Sequence, residues 1–83
     1  MKIKKIDLLY SAPVEDGWRP SFCRIYTDIG LYGDGEVALS YGAVSHAAFA
    51  EMHDLAPLLI GMNPLEHEVI WEKLYRQSFF GLN

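Results

Sequence analysis

The hydrophobic period of this chain changes once, near Tyr41, and that change decides the fold class. Before it, apolar residues alternate. Ile6, Leu8 and Tyr10 follow Ile3 and its lysines, and Phe22, Arg24 and Tyr26 oppose Cys23 and Ile25. A period of two is the signature of half-buried strands. After it, Val44, Ala48, Met52, Leu55 and Leu59 recur at three- and four-residue intervals, the stripe of an amphipathic helix of about four turns. Strands first and helices second predict an α+β domain: a three-stranded antiparallel meander followed by an α-helical segment.

The connections refine this order. The first strand gives way at Ser11 to a ten-residue loop, Ser11–Pro20, bounded by prolines. Hairpins need only about 2–5 residues, and longer loops in small domains tend to carry function. Thr27-Asp28-Ile29-Gly30 has turn chemistry, since Asp bonds nearby backbone and Gly accepts positive φ. A third strand follows over Leu31–Leu39, where Gly33 and Gly35 predict a bulge or a close backbone approach. Pro57 interrupts the first helix, so a kink or restart is expected there. Asn63, Pro64 and Glu66 predict a capped second helix carrying Val69, Ile70 and Leu74 inward, with Glu72 and Arg76 as a solvent-side pair.

With 83 residues, one domain is the ceiling. Seven Lys and Arg against 11 Asp and Glu give a net charge of −4, which repels phosphate backbones, so nucleic acid is not an expected partner. The longest apolar run, Ala47–Ala50, has four residues, against about 20 for a membrane span. Met1-Lys2-Ile3-Lys4-Lys5 could open a leader, but Asp7 breaks the apolar core that a leader requires, so the segment is read as a strand. Cys23 has no second cysteine to pair with, which agrees with a cytoplasmic address.

Most of the chemistry-bearing residues have an ordinary explanation. Gly30, Gly33 and Gly35 lack the strand-to-helix context of a dinucleotide fingerprint. His46 and His53 share a helix face but stand two turns, about 10 Å, apart, too far for one metal ion. Cys23 on a strand is read as a small buried hydrophobe. Glu15 and Asp16 are read as solvated loop acids. Trp18 and Arg19 stand on the long loop. The Trp is either tucked into the core or presented to a ligand, and the neighbouring Arg suits a carboxylate. Tyr41 follows the third strand at the same sheet end, where its hydroxyl either reaches a ligand or packs on the first helix.

The stretch Arg24-Ile25-Tyr26-Thr27-Asp28-Ile29-Gly30-Leu31-Tyr32-Gly33-Asp34-Gly35-Glu36 resembles the second and third strands of the mandelate racemase and muconate lactonizing enzymes, within the enolase superfamily. Those strands commonly read V-x-T-D-E-G-x-x-G-W-G-E. Leu55–Pro64 resembles the family's L-x-P-x-L-I-G-x-D-P, and Ile70-Trp71-Glu72-Lys73-Leu74-Tyr75-Arg76 adds a third match. The last run and Phe79-Phe80-Gly81 are similar to the sugar-acid dehydratase branch. Ile29 replaces the usual Glu and Asp34 the usual Trp, departures that bear on packing rather than chemistry.

The resemblance implies that residues 1–83 are a single capping domain, with a fold like the enolase N-terminal domain. In the family such a cap covers a (β/α)₈ barrel, and no barrel follows in this chain. The barrel supplies the Mg²⁺ ligands and the bases that take a proton α to a substrate carboxylate. The implied parent is a Mg²⁺-dependent dehydratase or racemase/cycloisomerase, homo-oligomeric, acting on a carboxylate substrate such as a sugar acid. The cap would bind no metal and be inactive alone. Its contribution would be the loops Ala12–Pro20 and Ser40–Ser45, with Trp18, Arg19 and Tyr41 as substrate contacts. The second helix and Phe79-Phe80 would pack towards the barrel. The alternative is a stand-alone binding or oligomer-forming module without catalysis.

Overall fold

A computed structural model describes residues 1–12, 17–37 and 42–78. Three strands, β1 (Ile3–Tyr10), β2 (Ser21–Thr27) and β3 (Tyr32–Val37), form one antiparallel sheet in the order β1-β2-β3. Helix α1 (Gly42–Leu55) follows, then a 3₁₀ turn (Ala56–Leu59) and helix α2 (His67–Ser78). This is the meander-then-helix order that the change of period predicts.

The spacing of Ile3 and Ile6 is wrong for one face of a regular strand, and a bulge repairs it. Ile3 pairs with Thr27 and Lys5 with Tyr26, so Lys4 is the extra residue. Beyond it Ile6 faces Ile25, Leu8 faces Cys23 and Tyr10 faces Ser21. The bulge therefore puts Ile3 on the same face as Ile6, Leu8 and Tyr10. Ile3 is the one hydrophobic side chain among the described residues that is fully buried. Its N–H donates to the Met62 carbonyl and its carbonyl accepts from the Gly61 N–H, both at 2.8 Å, which ties the segment after the 3₁₀ turn to the sheet edge.

The opposite face carries polar and aromatic side chains. Arg24 donates to both Asp34 carboxylate oxygens at 2.7 and 3.0 Å and lies 4.1 Å from the Tyr32 ring centre. Lys5 pairs with Asp7 and lies over Tyr26. The turn between β2 and β3 closes as expected, with Gly30 at φ 87° and the Thr27 hydroxyl donating to the Leu31 carbonyl.

Four details of the helices and strands differ from expectation. Val44 is 65% exposed, and the face turned to the sheet holds Ser45 and half-buried Phe49 instead. Tyr10 causes this rotation, because it stacks on Phe49 and hydrogen-bonds Ser45. Asn63 does not cap α2: its Oδ1 accepts the Leu65 N–H and its carbonyl the Glu66 N–H, closing a separate turn. Helix α2 starts at His67, with Val69 exposed and Ile70 and Leu74 half-buried. No backbone crowds the strand glycines: a Cβ on Gly33 would meet nothing within 4 Å, and one on Gly35 would meet only a cysteine sulfur. The change at Pro57 is found as expected, where α1 gives way to the 3₁₀ turn. The Glu72–Arg76 pair is also formed, at 2.7 Å.

The assembly is thin, 40 × 34 × 16 Å, with a radius of gyration of 13.8 Å. A compact chain of this length would have about 12 Å. Helix α1 packs on β1 and β2, whereas α2 stands off the sheet.

Candidate functional site

Topology alone brings the two loops together. In a three-strand meander β1 and β3 run the same way, so the chain leaves both at one sheet end. The last layer at that end is Tyr10, Ser21 and Val37. Beyond it the Gly42 N–H donates to the Gly17 carbonyl at 3.1 Å, a direct bond between the loop after β1 and the start of α1; of the expected loop Ser40–Ser45, Gly42 to Ser45 form the first turn of that helix instead. Both glycines have positive φ, 84° and 54°, so each sits where a side chain would be strained.

Trp18 follows Gly17 directly and is half-buried. Arg19 comes next, and its Nε donates to the Ser11 carbonyl at 2.6 Å. Its guanidinium lies 3.7 Å from the centre of the Tyr10 ring, within cation–π range. The Ser11 N–H donates to the Pro20 carbonyl at 3.2 Å, closing the neck of the loop. Trp18 and Arg19 are thus brought to the Gly17–Gly42 contact. Tyr41, Glu15, Asp16 and Phe79-Phe80 lie outside the described residues.

Sequence reasoning missed Ser45, Tyr10 and Ser21. Ser45 is 1% exposed and Ser21 fully buried, both at this end of the sheet. Ser45 Oγ donates to the Gly42 carbonyl at 2.6 Å and meets the Tyr10 hydroxyl at 3.0 Å. The Ser21 and Ser11 hydroxyls are buried without a hydrogen-bond partner among the described residues, a rare condition. A serine breaking an apolar stripe at a helix start was the available signal for Ser45.

The described carboxylates do not fit a metal centre. Asp7 and Asp34 are held by Lys5 and Arg24, Glu72 by Arg76, and no three His, Cys, Asp or Glu residues come together among the described residues. His46 lies beside the Tyr10 ring and His53 beside Asp54. A groove of about 740 Å³ runs past Leu9, Phe22 and Arg24 of the sheet and His53 of α1.

No protein-family profile matches the chain. It is 38% identical over 76 residues to the D-galactonate dehydratase of Verminephrobacter eiseniae, covering 92% of this chain and 19% of that protein. It is 40% identical over 57 residues to the D-mannonate dehydratase of Novosphingobium aromaticivorans, covering 69% of this chain and 14% of that protein. Among solved structures, an enolase-superfamily member from Salmonella Typhimurium superposes with a TM-score of 0.82 at 40% identity, over 96% of this chain and 20% of the other. A dipeptide epimerase from Enterococcus faecalis superposes with a TM-score of 0.80 at 26% identity, over 96% of this chain and 25% of the other. The chain therefore spans less than a fifth of the length of the curated relatives it matches.

Proposed function

The chain is a relative, over most of its length, of the sugar-acid dehydratases of the enolase superfamily, and we propose that it is the substrate-capping domain of a Mg²⁺-dependent enzyme that removes the proton α to a carboxylate. The observation that carries this reading is the Gly42–Gly17 bond, which joins the loop after β1 to the start of α1, where the connection from β3 ends, above one sheet end. A cap has to present such a joined pair of segments to a neighbouring active site, where closure excludes water and selects the distal part of the substrate.

In this reading Trp18 offers a ring face, Arg19 a guanidinium for the substrate carboxylate, and Tyr41 a phenol. Since the described carboxylates form no metal-holding set, Mg²⁺ and its ligands are assigned to a (β/α)₈ barrel, in the same polypeptide or a partner. The chain by itself is then not catalytic. The same reading makes the enzyme a cytoplasmic homo-oligomer. No helix among the described residues is long and apolar enough to cross a membrane.

The relatives named as dehydratases support one reaction class: an acid with hydroxyls on Cα and Cβ loses the α proton and the β hydroxide as water. The resulting enol ketonises to a 2-oxo-3-deoxy acid. The test isolates the native polypeptide with an antibody to this segment and incubates it with a panel of aldonic acids. A product of about 40 kDa that forms 2-oxo acids, and stops when chelator is added, is the expected result. A native product of 9.4 kDa with no turnover would overturn the reading.

A further inference from the structure

We propose that Tyr10 and Ser45 are positioning residues whose paired hydroxyls fasten the loop after β1 to the first turn of α1. The consequence for substrate rests on the capping reading; the fastening itself does not.

Ser45 is a polar side chain at 1% exposure on the helix face that packs against the sheet. A buried hydroxyl is costly there unless it is bonded. Its single proton goes to the Gly42 carbonyl at 2.6 Å. The Tyr10 hydroxyl, 3.0 Å away, is therefore the donor to Ser45 Oγ. A serine in a first helical turn often bonds back to local backbone, but such a bond alone would need no tyrosine from β1.

The Tyr10 ring is held in turn. It stacks on Phe49 with centroids 4.7 Å apart and planes 8° from parallel, and the Arg19 guanidinium rests 3.7 Å from its centre. Arg19 is pinned by its Nε bond to the Ser11 carbonyl. The hydroxyl is thus aimed from a fixed ring.

Gly42 is engaged on both sides, its carbonyl by Ser45 and its N–H by Gly17. That N–H belongs to the peptide unit joining Tyr41 to Gly42, and the Gly17 carbonyl belongs to the unit joining Gly17 to Trp18. The hydrogen-bonded run Tyr10–Ser45–Gly42–Gly17 therefore ends on the two peptide units that carry Tyr41 and Trp18. Removing either hydroxyl therefore loosens the Gly42 N–H from the Gly17 carbonyl.

The experiment is amide hydrogen exchange on the native polypeptide that carries this chain, as wild type, Ser45→Ala, Tyr10→Phe and Ser45→Thr. Tyr10→Phe keeps the ring and its stack, so it carries the test if Ser45→Ala fails to fold. The expected result is exchange at Gly42 about three- to tenfold faster in both hydroxyl-deleted variants, the range that one lost hydrogen bond gives. The β2 amides should be unchanged and protection retained in Ser45→Thr. Gly42 exchange unchanged in Tyr10→Phe would overturn the proposal. On the same variants the KM for an aldonate should rise by a similar factor while kcat stays within about twofold. Faster exchange with an unchanged KM would overturn the capping reading and leave the fastening standing.

Discussion

Gly35 lies across from Cys23 in the β2–β3 pairing, and a methyl group built on its α-carbon would sit 3.2 Å from the Cys23 sulfur. Two residues earlier on the same face, Gly33 lies across from Ile25 and a methyl there would meet nothing within 4 Å. The two glycines therefore differ in kind. Gly35→Ala should destabilise the native polypeptide by about 1–2 kcal/mol, the scale of mild overpacking. Gly33→Ala should be neutral or stabilising by up to about 1 kcal/mol, because it only lowers the entropy of the unfolded chain. Adding Cys23→Ala to Gly35→Ala should recover much of the loss. Urea unfolding of the single and double variants measures all three.

This pair also marks where the sequence stops being informative. The alternation in β1 and β2 made the strands, their faces and the meander legible, because period two is a local property. The partner of Gly35 was not legible, since it depends on the β2–β3 register, which is set by how the turn between Thr27 and Leu31 closes. Ser45 escaped for a related reason. Apolar spacing placed Val44 in the buried stripe, but Tyr10 from β1 turns the helix so that Ser45 and Phe49 face the sheet. Asn63 carried real capping chemistry, and the chain uses it in the turn Asn63–Glu66 that immediately precedes α2. For the candidate site, the convergence of two loops followed from strand direction alone. The Gly42–Gly17 hydrogen bond at that end is tertiary and left no mark in residue type beyond two glycines.

Two exposed carboxylates give a pH dependence with a definite sign. Arg24 holds the Asp34 carboxyl below its ordinary value of 3.8 through its hydrogen bonds, and the Lys2 backbone N–H does the same for Asp28. A carboxyl depressed on folding contributes fully above its unfolded value, and the contribution is lost as pH falls through the lower folded value. Both contributions should therefore be intact at pH 5 and above and disappear only below about 4. Arg24→Gln should move the Asp34 midpoint back up towards 3.8 and leave Asp28 where it is. Carboxyl carbon shifts followed through an acid titration check both. Added salt should shrink the Asp34 effect, because the pair is exposed.

Gly61 offers a backbone prediction without a packing component. Its φ is 89°, and a Cβ there would meet nothing within 4 Å. Its N–H nonetheless donates to the carbonyl of buried Ile3 at 2.8 Å, so the conformation is tied to the sheet edge. Gly61→Ala should cost about 1–2 kcal/mol, the penalty of a left-handed conformation for a residue with a β-carbon. Gly61→Asn should cost less, because asparagine tolerates that region. Thermal unfolding of the two variants ranks them, and equal losses would contradict a conformational origin.

Helix α2 provides the sharpest test of whether another domain covers this chain. Trp71 stacks on Tyr75 with centroids 5.0 Å apart, yet the two are 63% and 46% exposed. Leu65 and Val69, 68% and 52% exposed, add to the apolar surface around this helix. Solvent-facing aromatic pairs at this spacing stabilise a helix only slightly, by about 0.2–0.5 kcal/mol. If a barrel covers the pair, Trp71→Ala removes a buried indole and should destabilise the native polypeptide by about 3–5 kcal/mol. That is the expected outcome, with Glu72→Gln on the same helix as the control. Urea unfolding separates the cases, since a truly exposed Trp71 would give a loss within about 0.5 kcal/mol. The smaller loss would leave α2 in water and remove it from any contact with a barrel.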